Sequence, residues 1–103
     1  MDDSTTVRTL ILSDRPTAAR RWAEMLEPFW PQIGEPDKEP PEATEVIVTD
    51  LVPIRGDDLG VVRIGSDGPA DASLPEDVTA RELRQVCRLV ARIVRLRRDR
   101  RDE

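Results

Sequence analysis

Short, nearly continuous apolar runs alternate along this chain of 103 residues with segments of helical periodicity. Residues 7–13 and 45–49 are rich in β-branched side chains, and an aspartate directly follows each run. Such runs predict strands buried on both faces of a parallel sheet. Residues 60–65 predict a third strand, and shorter apolar stretches at 30–33 and 72–74 predict two more.

Two segments have the spacing of amphipathic helices. The first starts near Pro16, a residue suited to the first turn of a helix, and Pro28 should end it. Its apolar face would consist of Ala18, Trp22, Met25 and Phe29. The second segment spans about residues 79–98, with Asp77 or Thr79 as its N-cap.

The apolar residues of the last helix form two stripes on a helical wheel of about 100° per residue. The first stripe consists of Leu83, Cys87, Val90 and Val94. The second stripe has heptad spacing and consists of Val86, Leu89, Ile93 and Leu96. Together they cover about half the helix, more than one contact requires. We therefore predict that the first stripe packs on the sheet and the second on a partner, as a homodimer; the alternative is that one core buries both stripes.

The segment between the second and third strands in chain order is rich in proline. Pro31, Pro36, Pro40 and Pro41 predict an irregular segment at 31–44, with a single turn near 41–43. The connections after Asp50 and after residue 65 look too short for full helices, so one face of the sheet should be better covered than the other. We expect one domain at 1–96 and a charged helical extension or linker at 97–103, leading toward an output domain.

The composition narrows the possible functions. The chain has no histidine and a single cysteine, Cys87, so the commonest general base, the commonest zinc ligand and an internal disulfide are missing. No apolar run has the length of a membrane span, and acids at Asp2 and Asp3 argue against a secretory signal. We expect a cytoplasmic protein that is not an enzyme and does not bind membranes.

The charge is divided unequally along the chain. Residues 1–80 hold 7 basic and 17 acidic side chains, whereas residues 81–103 hold 9 arginines and 4 acids. The arginines opposite the two stripes are Arg81, Arg84, Arg88, Arg92 and Arg95. They form either a solvated helix face, which we favour, or a surface for nucleic acid.

Asp14 and Asp50 each follow a strand that should be buried. The carboxyl ends of neighbouring parallel strands form the ligand crevice of an open α/β sheet. Two carboxylates there are candidates for binding Mg²⁺, and Asp50 is a candidate nucleophile toward a phosphoryl group. The alternative is that both are exposed acids without chemistry.

Three stretches of the chain resemble a response-regulator receiver domain. Residues 10–16 are similar to the first strand and acidic pair of that family, and residues 45–53 to the strand with its phosphoacceptor. Residues 70–75, followed by 79–83, are similar to the fifth strand and the start of the last helix. The resemblance implies a flavodoxin/CheY-like parallel sheet of about five strands, with Asp50 as phosphoacceptor and Asp14 beside it as a magnesium ligand.

The departures from the family pattern concern its chemistry. Ser13 stands where receivers have a second acid, and Glu76 stands where they have a lysine that neutralises the phosphoryl group. Gly65-Ser66 matches their Ser or Thr only loosely, and the middle helices are shortened. Arg63 and Arg55 are the candidates for the missing positive charge. The chain therefore resembles a reduced and degenerate form, a pseudo-receiver.

This resemblance implies a non-catalytic module of bacterial two-component signal transduction. It would dimerise through the last helix and relay a signal to a downstream output domain such as a diguanylate cyclase or a kinase. It would need no cofactor, or Mg²⁺ only if the acidic corner is functional. The alternatives are a receiver phosphorylated on Asp50 and, third, an arginine-rich protein associated with nucleic acid.

Overall fold

The computed structural model describes residues 7–35, 44–51, 59–65 and 70–101. Five strands form one parallel sheet in the order β2-β1-β3-β4-β5. The strands are β1 (Thr9–Leu12), β2 (Gln32–Ile33), β3 (Val46–Thr49), β4 (Gly60–Ile64) and β5 (Ala72–Leu74). The helices are α1 (Pro16–Met25) and α2 (Ala80–Arg101). This flavodoxin-like α/β fold with reduced helices confirms the predicted fold class.

The first helix ends a turn earlier than Pro28. α1 begins with Pro16 and stops at Met25, and a 3₁₀ turn at Glu27–Phe29 accommodates Pro28. Trp30 then takes a left-handed backbone conformation with φ of 54°, which reverses the chain into the edge strand β2.

Both helices pack on the same face of the sheet. Alternate strand residues, among them Ile11, Val48 and Val62, join Trp22 of α1 and Leu83 of α2 in the main hydrophobic core. The other face carries a smaller cluster of Leu10, Leu12 and Ile47, with Leu59 packed against it. Among the described residues the two faces are thus unequally covered, as expected. The turn predicted near 41–43 and the connections at 52–58 and 66–69 lie outside the described residues.

Thr79 is the residue that caps α2. Its hydroxyl accepts a hydrogen bond from the backbone N–H of Glu82 at 3.2 Å and donates one to the Glu82 carboxylate at 3.0 Å. This reciprocal pairing is a variant of the capping box, and it fixes the helix start. Within the described part of the chain, no helix combines the length and apolar character needed to cross a membrane.

Candidate functional site

The acidic corner, defined here as Ser13, Asp14, Arg15, Asp50 and Glu76, lies where β1, β3 and β5 end. β1 and β3 are adjacent, with Leu12 in register with Thr49, so the residues after them meet. The Ser13 hydroxyl donates a hydrogen bond to Asp50 Oδ2 at 3.3 Å. The backbone N–H of Arg15 donates to Ser13 Oγ at 3.0 Å. Ser13 therefore links the backbone of Arg15 to the Asp50 carboxylate through two hydrogen bonds.

The guanidinium of Arg15 bridges two carboxylates. Its Nε donates to Asp50 Oδ2 at 2.9 Å, and its Nη2 lies 2.8 Å from the same oxygen. Its Nη1 donates to Glu76 Oε1 at 2.8 Å. The hydrogen bonds that Arg15 donates to Glu76 and then to Asp50 raise the pKa of Arg15 above its ordinary value.

The two arms of this bridge differ in solvent exposure. The Asp50 side chain is 11% exposed, whereas the Glu76 side chain is 60% exposed and Arg15 is 49% exposed. A pair in contact with water contributes little, at most about 1 kcal/mol, whereas a desolvated carboxylate needs its cation. The contact with Asp50 is thus the strong arm, and the contact with Glu76 is the weak one.

Among the described residues, Arg15 supplies a positive charge at this corner. Arg63 is a buried residue of β4 in register with Thr49, and Arg55 lies outside the described residues. The position of Arg15 in the sequence could have predicted its role at this corner. It follows the strand-end pair Ser13-Asp14 directly and caps α1 with an extended backbone, at the edge where Asp50 lies.

A guanidinium occupies the acidic corner in this arrangement, and the use of this corner as a magnesium site stays a prediction. Asp14 is exposed, and the described residues contain no group of three Asp, Glu, His or Cys side chains that would hold a metal. Asp50 Oδ2 already contacts a guanidinium, which would repel Mg²⁺. Asp50 Oδ1 is buried and accepts no hydrogen bond from the described residues.

The last helix presents its two stripes to different surroundings. Leu83, Cys87, Val90 and Val94 of the first stripe are all buried in the main core. In the second stripe Leu89 is 54% exposed, Ile93 43% and Leu96 57%. Val86 is partly buried and packs against the core edge. An exposed apolar stripe therefore runs along α2, and its use as a contact stays a prediction.

Several arginines of α2 contact the body of the domain instead of only solvent. Arg84 Nε donates to the carbonyl of Met25 at 2.9 Å, and the Arg88 guanidinium lies 5.3 Å from the Phe29 ring centroid. Arg95 pairs with Glu45 through two hydrogen bonds of 2.5 and 2.9 Å. Arg88 is exposed, as expected for a solvated face, whereas Arg84 and Arg95 are half-buried. The ion pair of Arg95 with Glu45 also reduces the positive charge that this face can offer to phosphates.

Glu45 attaches α2 to the start of β3. Burial of its carboxyl group opposes ionisation, but hydrogen bonds from Arg95 and from the backbone N–H of Arg8 outweigh it and lower the pKa of Glu45. Two arginines thus attach α2 to the rest of the domain: Arg84 contacts Met25 at the end of α1, and Arg95 contacts Glu45 directly before β3. Sequence patterns did not indicate this ion pair, because its partners are 50 positions apart.

Cys87 and Trp22 are core residues, and Trp30 is a surface residue. Burial raises the pKa of the Cys87 thiol to about 12, so it is a core side chain and a poor nucleophile. Trp22 is buried in the core, whereas Trp30 is 85% exposed.

The comparisons with known proteins do not assign this chain to a family. No protein-family model matches it, and a search of curated proteins finds no match. The receiver resemblance of its sequence motifs therefore stays a prediction.

Proposed function

We propose that this chain is a non-catalytic, pseudo-receiver signalling module that works in the cytoplasm. It dimerises through the second stripe of α2 and relays a signal along that helix to a downstream output domain, such as a diguanylate cyclase or a kinase. The observation that carries this proposal is the exposure of Leu89, Ile93 and Leu96 on a helix whose other stripe is buried in the core.

The residue types in the second stripe support a pair of parallel helices. In heptad notation Val86 and Ile93 take position a, and Leu89 and Leu96 take position d. β-branched residues at a with leucine at d favour two-stranded parallel coiled coils. In that orientation the carboxyl ends of both helices point the same way, which suits a relay into paired output domains.

The exposed area supports a weak dimer. Burying a whole aliphatic side chain contributes about 1.5–3 kcal/mol, and Leu89, Ile93 and Leu96 are each about half exposed. Six such side chains in a dimer would contribute roughly 5–9 kcal/mol. Association costs about 4–15 kcal/mol, so at most about 5 kcal/mol remains, and a dissociation constant of roughly a few hundred micromolar or weaker is expected. A covalently attached output domain that itself dimerises would strengthen the pair by raising the effective concentration.

The acidic corner supports the non-catalytic part of the proposal. Its Asp50 already pairs with Arg15, and Glu76 adds negative charge where a receiver has its lysine. A phosphoryl group on Asp50 would meet that negative charge.

Sedimentation velocity over a concentration series tests the dimer. The wild-type chain should shift toward twice its monomer mass as concentration rises, and Leu89→Ser with Ile93→Ser should remain monomeric. Ile33→Ser is the matched control. Ile33 is also an exposed aliphatic residue, but it lies on the edge strand β2 and not on α2. A strictly monomeric wild type, or a double variant that associates like the wild type, would refute the proposal.

The second candidate function is a phosphoacceptor receiver. Asp50 favours it, because the residue lies at the carboxyl end of β3 and its Oδ1 accepts no hydrogen bond within the described residues. Mass spectrometry after incubation with acetyl phosphate and Mg²⁺ separates the two functions. Our proposal predicts no modification, whereas an adduct on the wild type that Asp50→Asn abolishes would establish the phosphoacceptor.

A further inference from the structure

Arg15 connects three parts of the chain that are distant in sequence. It caps the amino end of α1, its partner Asp50 ends β3, and Glu76 lies in the turn between β5 and α2. The hydrogen bonds span 35 and 61 positions. One side chain thus links the crevice end of the sheet to the segment that leads into α2.

The turn that holds Glu76 is continuous with the start of α2. The backbone N–H of Val78 donates to the carbonyl of Pro75 at 3.1 Å, and the Val78 side chain is buried. Thr79 then caps the helix, and the N–H of Leu83 donates to its carbonyl at 3.0 Å. A restraint on Glu76 is therefore a restraint on the first turn of α2.

We propose that the acidic corner is an ion-pair latch, in which Arg15 holds the start of α2 against the sheet without a metal ion or a phosphoryl group. Arg15 supplies as a fixed side chain the positive charge that an exchangeable cation would otherwise bring to Asp50. The corner is then an anchor for α2 and not its signal input. The latch rests on the proposed function only in giving α2 the role of the output element.

The unequal exposure of the two arms sets the order in which the latch opens. Asp50 is nearly buried and keeps its cation, whereas Glu76 is mostly exposed. The Glu76 arm opens first and frees the turn, while Arg15 stays on Asp50. Removing Arg15 opens both arms and leaves a nearly buried carboxylate without its main partner.

Native-state hydrogen exchange of the full chain, read by NMR, tests the latch. The amides of Val78, Glu82 and Leu83 report the start of α2, and the amide of Val62 in the interior strand β4 reports global unfolding. Arg15→Ala should accelerate exchange at the first three by roughly threefold more than at Val62, since Arg15 reaches this turn through its exposed pair with Glu76. Glu76→Gln should accelerate the same three amides by a smaller factor, roughly twofold, because the Gln amide oxygen can still accept a hydrogen bond from Arg15.

Arg20→Ala is the matched control, because Arg20 is an exposed arginine on the same helix. Equal effects of Arg15→Ala and Arg20→Ala at the three amides would overturn the latch. So would an unchanged exchange pattern in Glu76→Gln, because Arg15 would then act on Asp50 alone. A monomeric wild type would refute the proposed dimer but leave this exchange result fully interpretable.

Discussion

Gly60 lacks a side chain where β4 packs closely against α2. Gly60→Ala therefore tests how much free energy of unfolding this close packing contributes. A Cβ atom at this position would lie 2.1 Å from Val90 Cγ1 and 3.0 Å from Val94 Cγ2. Carbon atoms pack at about 3.5–4.0 Å, so the two elements would have to separate or distort. Arg84 and Arg95 fix α2 on two sides and limit its retreat.

The expected loss for Gly60→Ala is therefore at the upper end of the overpacking range, about 3 kcal/mol in the free energy of unfolding. Val90→Ala removes two γ-methyl groups from a buried site and should cost about 2 kcal/mol. In the double variant the added methyl group occupies part of the space that Val90 vacated. Its total loss should be about 2–3 kcal/mol, well below the sum of the single losses, which corresponds to strong coupling between the sites.

Urea denaturation at pH 7, followed by the fluorescence of the buried Trp22, measures these free energies. Gly34→Ala is the control, since its Cβ would approach a movable Leu10 methyl carbon at 2.8 Å and should cost only about 1 kcal/mol. A Gly60→Ala variant as stable as Gly34→Ala would refute the reasoning. Losses that simply add in the double variant would refute it as well.

Two further predictions concern buried ionisable groups. The pKa of Glu45 lies below its ordinary value of 4.5 in the folded chain, so its contribution is complete above that value and is lost as pH falls through the folded pKa. Glu45→Gln should thus destabilise the chain by about 1–2 kcal/mol at pH 7. The difference in unfolding midpoint between this variant and the wild type should shrink as the pH falls below 4.5. Glu24→Gln, which changes an exposed acid on α1, should show no such dependence. Cys87, with its pKa raised to about 12, should react with a thiol reagent at neutral pH only as fast as the chain opens, so subdenaturing urea should accelerate labelling. Rapid labelling of the native chain would contradict its burial in the core.

Local sequence patterns were sufficient for the order of strands and helices and for the two stripes of α2, but not for the end of α1. Strand-forming runs such as 45–49 and the helical spacing of Leu83, Cys87 and Val90 depend on residues within one or two turns of each other. The same periodicity separated the buried from the exposed apolar residues of α2, because a helix long enough to cross the sheet presents one face to it.

Only the tertiary structure decided which charges meet. Arg15 reaches Asp50 and Glu76 because parallel strands bring their carboxyl ends to one edge of the sheet. The residues around position 15 do not indicate either partner, because the partners lie 35 and 61 positions away. The pairing of Arg95 with Glu45 likewise follows from the position of α2 over the sheet. Periodicity reports which face of an element is apolar, whereas an ion pair between distant residues depends on how whole elements are placed. The sequence by itself therefore determined the fold class and the exposed stripe, and the folded arrangement decided that a guanidinium closes the acidic corner.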